Sequence, residues 1–342
     1  MFQVFMNSPY LLVVRKPGAI VGPIAGFLGV IYNGLFEFIY QSFQSGSLGI
    51  AIILFTLLVK LVLFPLMVKQ QKSSFKMQQL QPEMNKIRQK YKDKKDTASQ
   101  QKMAYELQEF QKKNGINMLG GCLPLLVQLP ILYALFYIFQ QAYLYVDVVA
   151  NNYNAIANVI INIPVQLRME VFEPYARAFV DANKITNFDM NVPSDVVMLV
   201  NELKLADWTN ILSQLGNKGE ELNALLITKN QVENFLGIPL VYKAGLGFPG
   251  IIIPILAATT TWLQSKLTMV NSSNDPKDPA AAMNRTMIYM MPAMMGFMTI
   301  TMPAGLGLYW VVSNLFTIGQ QILLNKYFKR KFEKEAGVDG TN

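Results

Sequence analysis

The sequence predicts an all-α integral membrane protein: five membrane-spanning helices, a cytoplasmic helical hairpin and an enlarged, mostly helical segment on the outer face. Three observations predict this. Of 342 residues, 52% are hydrophobic and only 15% charged, against about 25% charged in soluble domains. Apolar runs near the roughly 20 residues that a bilayer demands recur along the chain. Basic residues gather in alternate connections between those runs, as the positive-inside rule requires. The absence of histidine and the single cysteine, Cys122, exclude Ser-His-Asp and Cys-His catalysis, histidine metal sites, internal disulfides and thiolate zinc clusters. No cofactor is implied.

The first 46 residues form an N-terminal segment. Gly18 to Tyr40 is apolar enough to span. Asn33, Glu37, Gln41 and Gln44, however, fall on one helical stripe, which suits a helix lying in the outer interface. Arg15 and Lys16 just before it suit an extra span with the N-terminus inside, so both readings stand. No A-x-A-like cleavage site ends the segment and no cysteine follows it for lipid attachment. The first core span occupies 47–69, with Leu48 to Val68 apolar. Residues 70–117 form the cytoplasmic hairpin: Gln78 to Lys92, with Pro82 near its start, breaks at Asp93 to Asp96 and resumes from Ser99 to Lys113. Leu80, Met84, Ile87 and Tyr91 face Met103, Leu107 and Phe110, and Asn114-Gly115 closes the second arm.

The second span is 118–143, the outer cap 144–247, the third span 248–270 and a cytoplasmic loop 271–285. Thr286 to Leu324 has 39 residues without a charge, too many for one span. Pro303, Ala304 and Gly305 divide it into two helices, roughly 286–301 and 306–324. The basic tail is 325–342.

Charge sets the orientation. Segment 69–117 holds twelve Lys/Arg against five acids, and the tail holds Lys326, Lys329, Arg330, Lys331 and Lys334. Segment 144–248 has seven Lys/Arg against eleven acids. Five spans place both basic segments inside and the acidic one outside. Loop 271–285, with Lys277 and Arg285 offset by Asp275 and Asp278, adds little. The cap shows its own apolar periodicity in Val196, Val197, Leu199, Val200, Leu203 and Leu205, and no catalytic constellation.

Lys60 is the anomaly. It lies eight residues before the end of the first span, roughly 12 Å deep at 1.5 Å per residue. A charge at the centre of a span costs about 2.5–3.5 kcal/mol and usually faces a cavity or a partner; snorkelling to the headgroups is the plainer alternative. No acid in the assigned spans can pair with it, so a water-filled pocket is expected. Thr56 one turn earlier, Gln128, Gln264, Trp310 and Asn314 can line the same chamber, though each alone also reads as helix-to-helix glue. The fourth span carries Met287, Met290, Met291, Met294, Met295 and Met298. Packing explains them, as does a slide for varied apolar helices formed by Met287, Met291, Met294 and Met298. A small-anion transporter or channel using Lys60 is a rival function, although no inverted repeat is visible.

The runs LLVKLVLFPLMVKQQKS (Leu57–Ser73), GGCLPLLVQLPILYALF (Gly120–Phe136) and MPAGLGLYWVVSNLFTIGQQ (Met302–Gln321) closely resemble the YidC/Oxa/Alb membrane protein insertases, and LQPEMNKIRQKY (Leu80–Tyr91) resembles the start of that family's cytoplasmic hairpin. The resemblance covers roughly 48–142 and 248–326. It implies a YidC-like, Gram-positive-like core of five helices in the bacterial cell membrane, with a hydrophilic groove open to cytoplasm and lipid. The family's groove usually carries an arginine where this chain has Lys60; Thr56, Gln264 and Trp310 match other groove positions. The resemblance implies that nascent membrane protein clients are inserted and helped to fold, alone or with the Sec translocon, with the ribosome and the lipid bilayer as further partners. No DNA, no cofactor and no enzymatic step are implied. The long outer loop departs from the Gram-positive pattern.

Overall fold

The computed structural model describes residues 18–19, 21–92, 94, 96–115, 123–268 and 279–335. It is almost entirely helical. Arg15, Lys16, Asp93, Cys122, most of loop 271–285 and the end of the tail lie outside the described residues. Among those described, two helices are long and apolar enough to cross a membrane: α1 (Val21–Ser42) and α2 (Ser47–Gln79). The chain continues through α3 (Gln81–Lys90), α4 (Thr97–Lys113), α5 (Leu123–Gln140), α6 (Ala142–Tyr145), α7 (Asp147–Asn162), α8 (Val165–Asn183), α9 (Pro193–Glu202), α10 (Leu205–Leu215) and α11 (Glu220–Glu233). A minimal antiparallel pair, β1 (Asn234–Phe235) and β2 (Ile238–Pro239), precedes α12 (Ile252–Thr268), α13 (Pro279–Thr301) and α14 (Ala304–Glu335).

The boundaries differ from the sequence expectations in an instructive way. Helix α2 does not stop at Val68 but runs on to Gln79, because Lys69 to Gln79 contains neither glycine nor proline. Helix α2 gives way to α3 at Leu80, where Pro82 sits in the first turn of α3 and can give up its N–H without loss, and the two arms part between Lys90 and Thr97. The tail is likewise not a separate element: α14 carries Lys326, Lys329, Arg330 and Lys331 in one continuous helix.

The residues fall into two compact units. The first contains the described parts of Met1–Phe55, Pro130–Ile251 and Thr299–Leu308. In it α1 buries Ala25, Leu28, Tyr32, Phe36 and Ile39 on one face and exposes Phe27, Val30 and Phe38 on another. Tyr32 meets Phe55 and Phe139 edge-on, with ring centroids 5.5 and 5.6 Å away. Asn33, on the polar stripe, has a structural partner. Its Oδ1 accepts the Asp147 main-chain N–H at 2.9 Å and its Nδ2 donates to the Asp147 carboxylate at 3.0 Å. Helix α7 begins after Val146, which has no side chain able to cap it, so Asn33 caps it from another helix.

The cap is helical, as its periodicity predicts. Helix α7 packs on α9 and α11, and α8 on α9 and α10. Its core holds Tyr153, Ile156, Ile160, Val196, Leu199, Val200, Trp208 and Ile211. Buried Arg168 donates to the Ile161 carbonyl at 2.5 Å and to Asn191 Oδ1 at 2.6 Å. Segment 240–245 closes on the α13–α14 turn. Ala304 N–H donates to Tyr242 O and Gly305 N–H to Leu240 O, both at 2.8 Å, which satisfies the first amides of α14. A Cβ on Gly305 would stand 3.2 Å from Leu240 O and 3.1 Å from Ile52 Cδ1, so a side chain there would push these neighbours back by a few tenths of an ångström.

The second unit contains the described parts of Thr56–Leu129, Ile252–Met298 and Tyr309–Asn342. Its side-chain contacts fix the helix directions. Lys60 meets Thr317, Gln71 meets Asn325, and Phe75 lies against Phe328 and Phe332. Thr261 meets Trp310 while Thr268 meets Gln321. Both series ascend together, so α2, α12 and α14 are parallel. Helix α13 packs on α12 through Gly296, where a Cβ would lie 3.0 Å from Ala258 Cβ. In the hairpin, α3 buries Met84 and Ile87. Glu106 accepts from Lys90 at 2.6 Å and Tyr91 at 3.0 Å, and these hydrogen bonds hold its carboxyl below the usual range.

Candidate functional site: a buried polar face in the second unit

Helix α14 presents Trp310, Asn314, Thr317 and Gln321 at i, i+4, i+7 and i+11, which is one face of a helix. Helix α12 presents Thr260, Thr261, Gln264 and Thr268 toward it, and α2 presents Thr56 and Lys60, one turn apart. Asn314 is the hub. With both amide atoms satisfied, it donates to Gln264 Oε1 at 2.7 Å and accepts from Thr261 Oγ1 at 2.9 Å and Trp310 Nε1 at 3.2 Å. Trp310 Nε1 also lies 2.9 Å from Thr261 Oγ1. Gln128 donates to the buried Tyr309 hydroxyl, and so belongs to a neighbouring contact and not to this hub.

Lys60 is only 5% exposed, so its ammonium is enclosed by other side chains of the protein. Its Nζ donates to Thr317 Oγ1 at 3.3 Å. Among the described residues no carboxylate lies within ion-pair distance of it. Thr317 in turn lines a cavity of about 100 Å³ with Gln70, Gln71, Gln264, Thr268, Gln320 and Gln321. Water fits wherever roughly 10–15 Å³ is open and polar partners converge, and this cavity meets both conditions. Gln320 Oε1 and Gln321 Nε2 are buried with no partner among the described residues, a costly state unless water or a ligand answers them.

Thr56 is fully buried beside Lys60. Of the methionines, Met287 and Met294 are exposed and Met291 and Met298 half-buried, so α13 does present a methionine face. Met290 is exposed with them and Met295 is buried in packing.

Sequence reasoning missed Thr260, Thr261, Thr317, Gln320 and Gln321. The signal was present: Thr317 and Gln321 continue the helical face begun by Trp310 and Asn314. Helix α12 has only 17 residues, and the polar residues of α14 dilute its apolar stretch, so neither stands with α1 and α2 as an apolar span.

Comparison with known proteins shows the family of the chain. The family model described as 60Kd inner membrane protein matches residues 38–331. A membrane protein insertase YidC of Listeria monocytogenes is 28% identical over 297 residues, covering 87% of this chain and 70% of its own length. One from Bacillus anthracis is 31% identical over 285 residues, with 83% and 74% covered. One from Oceanobacillus iheyensis is 30% identical over 279 residues, with 81% and 74% covered. Matched over most of its length, the chain belongs to the 60Kd inner membrane protein family, the YidC/Oxa/Alb insertase family that its sequence motifs resemble.

Proposed function

We propose that this chain is a bacterial membrane protein insertase that receives nascent clients in the polar face around Lys60. Helices α2, α5, α12, α13 and α14 are its five spans, with the α3–α4 hairpin and the end of α14 cytoplasmic and residues 144–247 outside. The parallel directions of α2, α12 and α14 support this, since the first, third and fifth spans of a five-helix core must run the same way. Helix α1 lies in the outer interface, its apolar side toward lipid.

The observation that carries the function is Lys60, an ammonium buried against the Thr317 hydroxyl, with no carboxylate among the described residues within ion-pair distance. A client's short polar flank enters this face and exchanges hydrogen bonds with Gln264, Thr317, Gln320 and Gln321. An acidic flank gains in addition the charge that Lys60 lacks as partner. The client's apolar helix lies against the methionine face of α13 and leaves into lipid, and burial of that helix drives the process. The membrane potential adds about 2.3 kcal/mol per charge per 100 mV for an acidic flank. No bond is made or broken. The basic hairpin and the basic end of α14 attract the ribosome electrostatically, and cooperation with the Sec translocon belongs to this reading.

The test is insertion of a small client with an acidic flank into proteoliposomes. Lys60→Arg retains insertion, while Lys60→Glu loses roughly tenfold or more for that client and little for a neutral one. Equal activity of parent, Arg and Glu forms removes Lys60 from the mechanism. Anion flux without insertion favours a transporter instead.

A further inference from the structure

The first unit holds a cleft of about 860 Å³ that the groove does not use. It is bounded by α8, α9, segment 239–243 and the turn between α13 and α14, and its volume lies within the range of ligand-binding pockets. Four residues with side-chain amides line it, Gln140, Gln141, Asn183 and Asn201, of which Asn183 already donates to the Phe179 carbonyl at 2.9 Å. Gln141 is 9% exposed and its amide makes no hydrogen bond among the described residues. Gln140 Oε1 is buried without a donor among them. Asn201 Nδ2 reaches the Gln140 main-chain oxygen at 3.4 Å, a long contact.

The charges at the rim are of both signs, Glu202 with Lys204 and Lys243. Such a site selects neither an anion nor a cation. Side-chain amides both donate and accept, which is the pattern of a peptide group and is indifferent to sequence. Phe136, Phe179 and Met198 supply apolar wall between the amides. Thr301 and Pro303 form one side, and they stand at the end of the helix whose methionine face we assign to clients.

We propose that this cleft binds extended polypeptide, and that its occupant is the hydrophilic flank of a client once that flank has crossed the membrane. The occupant's identity rests on the insertase reading; the peptide affinity of the cleft does not.

The full chain in detergent is titrated with a fluorescent, unstructured peptide rich in Gly, Ser and Asn, and with the same peptide in proteoliposomes as the translocated flank of a client. The parent binds the free peptide, and Gln141→Leu with Asn201→Leu weakens binding about tenfold, as loss of two amide hydrogen bonds implies. A photocrosslinker at the exposed Asn183 captures the peptide in an otherwise unaltered chain, so the result stands even if the double variant unfolds. Absent binding, equal binding by parent and folded double variant, or no capture at Asn183 overturns the proposal. Amide-dependent binding without client insertion upholds the cleft and sinks the insertase reading. Insertion with the flank captured from Gln264 but never from Asn183 sinks the cleft alone.

Discussion

Replacing Lys229 with methionine should be the most damaging single change in the cap. The Lys229 side chain is 5% exposed and its Nζ stands 2.6 Å from Glu233 Oε2 and 3.1 Å from the Tyr242 hydroxyl. It also lies 5.1 Å from the ring centres of Tyr153 and Tyr242. Glu233 accepts a second hydrogen bond from Tyr153 at 2.7 Å, and Tyr242 donates to the Leu203 carbonyl at 2.6 Å. The cluster therefore ties α7, α11 and the segment that closes on the α13–α14 turn. Methionine fills the lysine stem but strands a buried carboxylate, which costs about 3–5 kcal/mol. Removing both charges, in Lys229→Met with Glu233→Leu, orphans only the Tyr153 hydroxyl, a cost of about 1–3 kcal/mol. The double variant should thus be more stable than the single one. Denaturant unfolding of the full chain in detergent, followed through buried Trp208 with Trp262 and Trp310 changed to Phe, measures both. A single variant within about 1 kcal/mol of the parent, or a double variant less stable than the single, would refute the argument. The pH dependence gives an independent check. Burial pulls the Lys229 ammonium down, but Glu233 and then Tyr242 outweigh it and hold it above the ordinary lysine range. A raised folded value stabilises below the ordinary value near 10.4, and this contribution is lost as pH rises through the higher folded value. Burial also holds the Tyr153 and Tyr242 hydroxyls above the ordinary tyrosine range, so both forms lose cap stability in that alkaline window, and the parent should lose more than the double variant.

Other changes follow the same physics. Asn33→Ala removes the remote cap of α7 and should cost about 1 kcal/mol, read as faster hydrogen exchange at the first amides of α7. Unchanged exchange there would show that Asn33 caps nothing. Gly305→Ala places a Cβ against Leu240 O and Ile52 and should lower the melting temperature. Gly319→Ala, with open space around its Cα, should leave it unchanged or raise it by helix propensity alone. Equal melting of the two variants would contradict the packing at the turn.

The class of the fold was legible because it depends on composition and period. Long apolar runs and alternating basic connections survive any detail of packing, and the cap's apolar spacing was enough to make it helical. Lengths were less legible. Lysine-rich continuations such as Lys69 to Gln79 and Lys326 to Lys331 are good helix formers, so the helix ignores the polarity change at which a span is drawn. The site was half legible. A lysine in an apolar run draws attention by its cost, but a threonine does not, since its hydroxyl can return to a carbonyl one turn earlier, as Thr260 does to Leu256. Gln128 shows a different limit: it donates to the Tyr309 hydroxyl, a partner that no sequence pattern names.

Lys60 and Lys229 are buried to the same degree and differ in what answers them. Lys229 has its acid one helical turn away at Glu233, the i+4 position that lets a pair form within a single helix. The corresponding neighbours of Lys60 are Thr56 and Phe64, so α2 offers no carboxylate, and the contact to Thr317 supplies a hydroxyl only. A paired buried charge is a structural element, and its removal is destabilising. An unpaired one is a standing cost, since desolvation is not offset by an opposite charge. Lys60→Met should therefore keep or raise the melting temperature of the full chain while insertion of acidic-flanked clients falls, and Lys229→Met should do the reverse. Were Lys60→Met to unfold the protein as Lys229→Met does, Lys60 would be a packing element with a partner of its own, and its role toward clients would have to be given up.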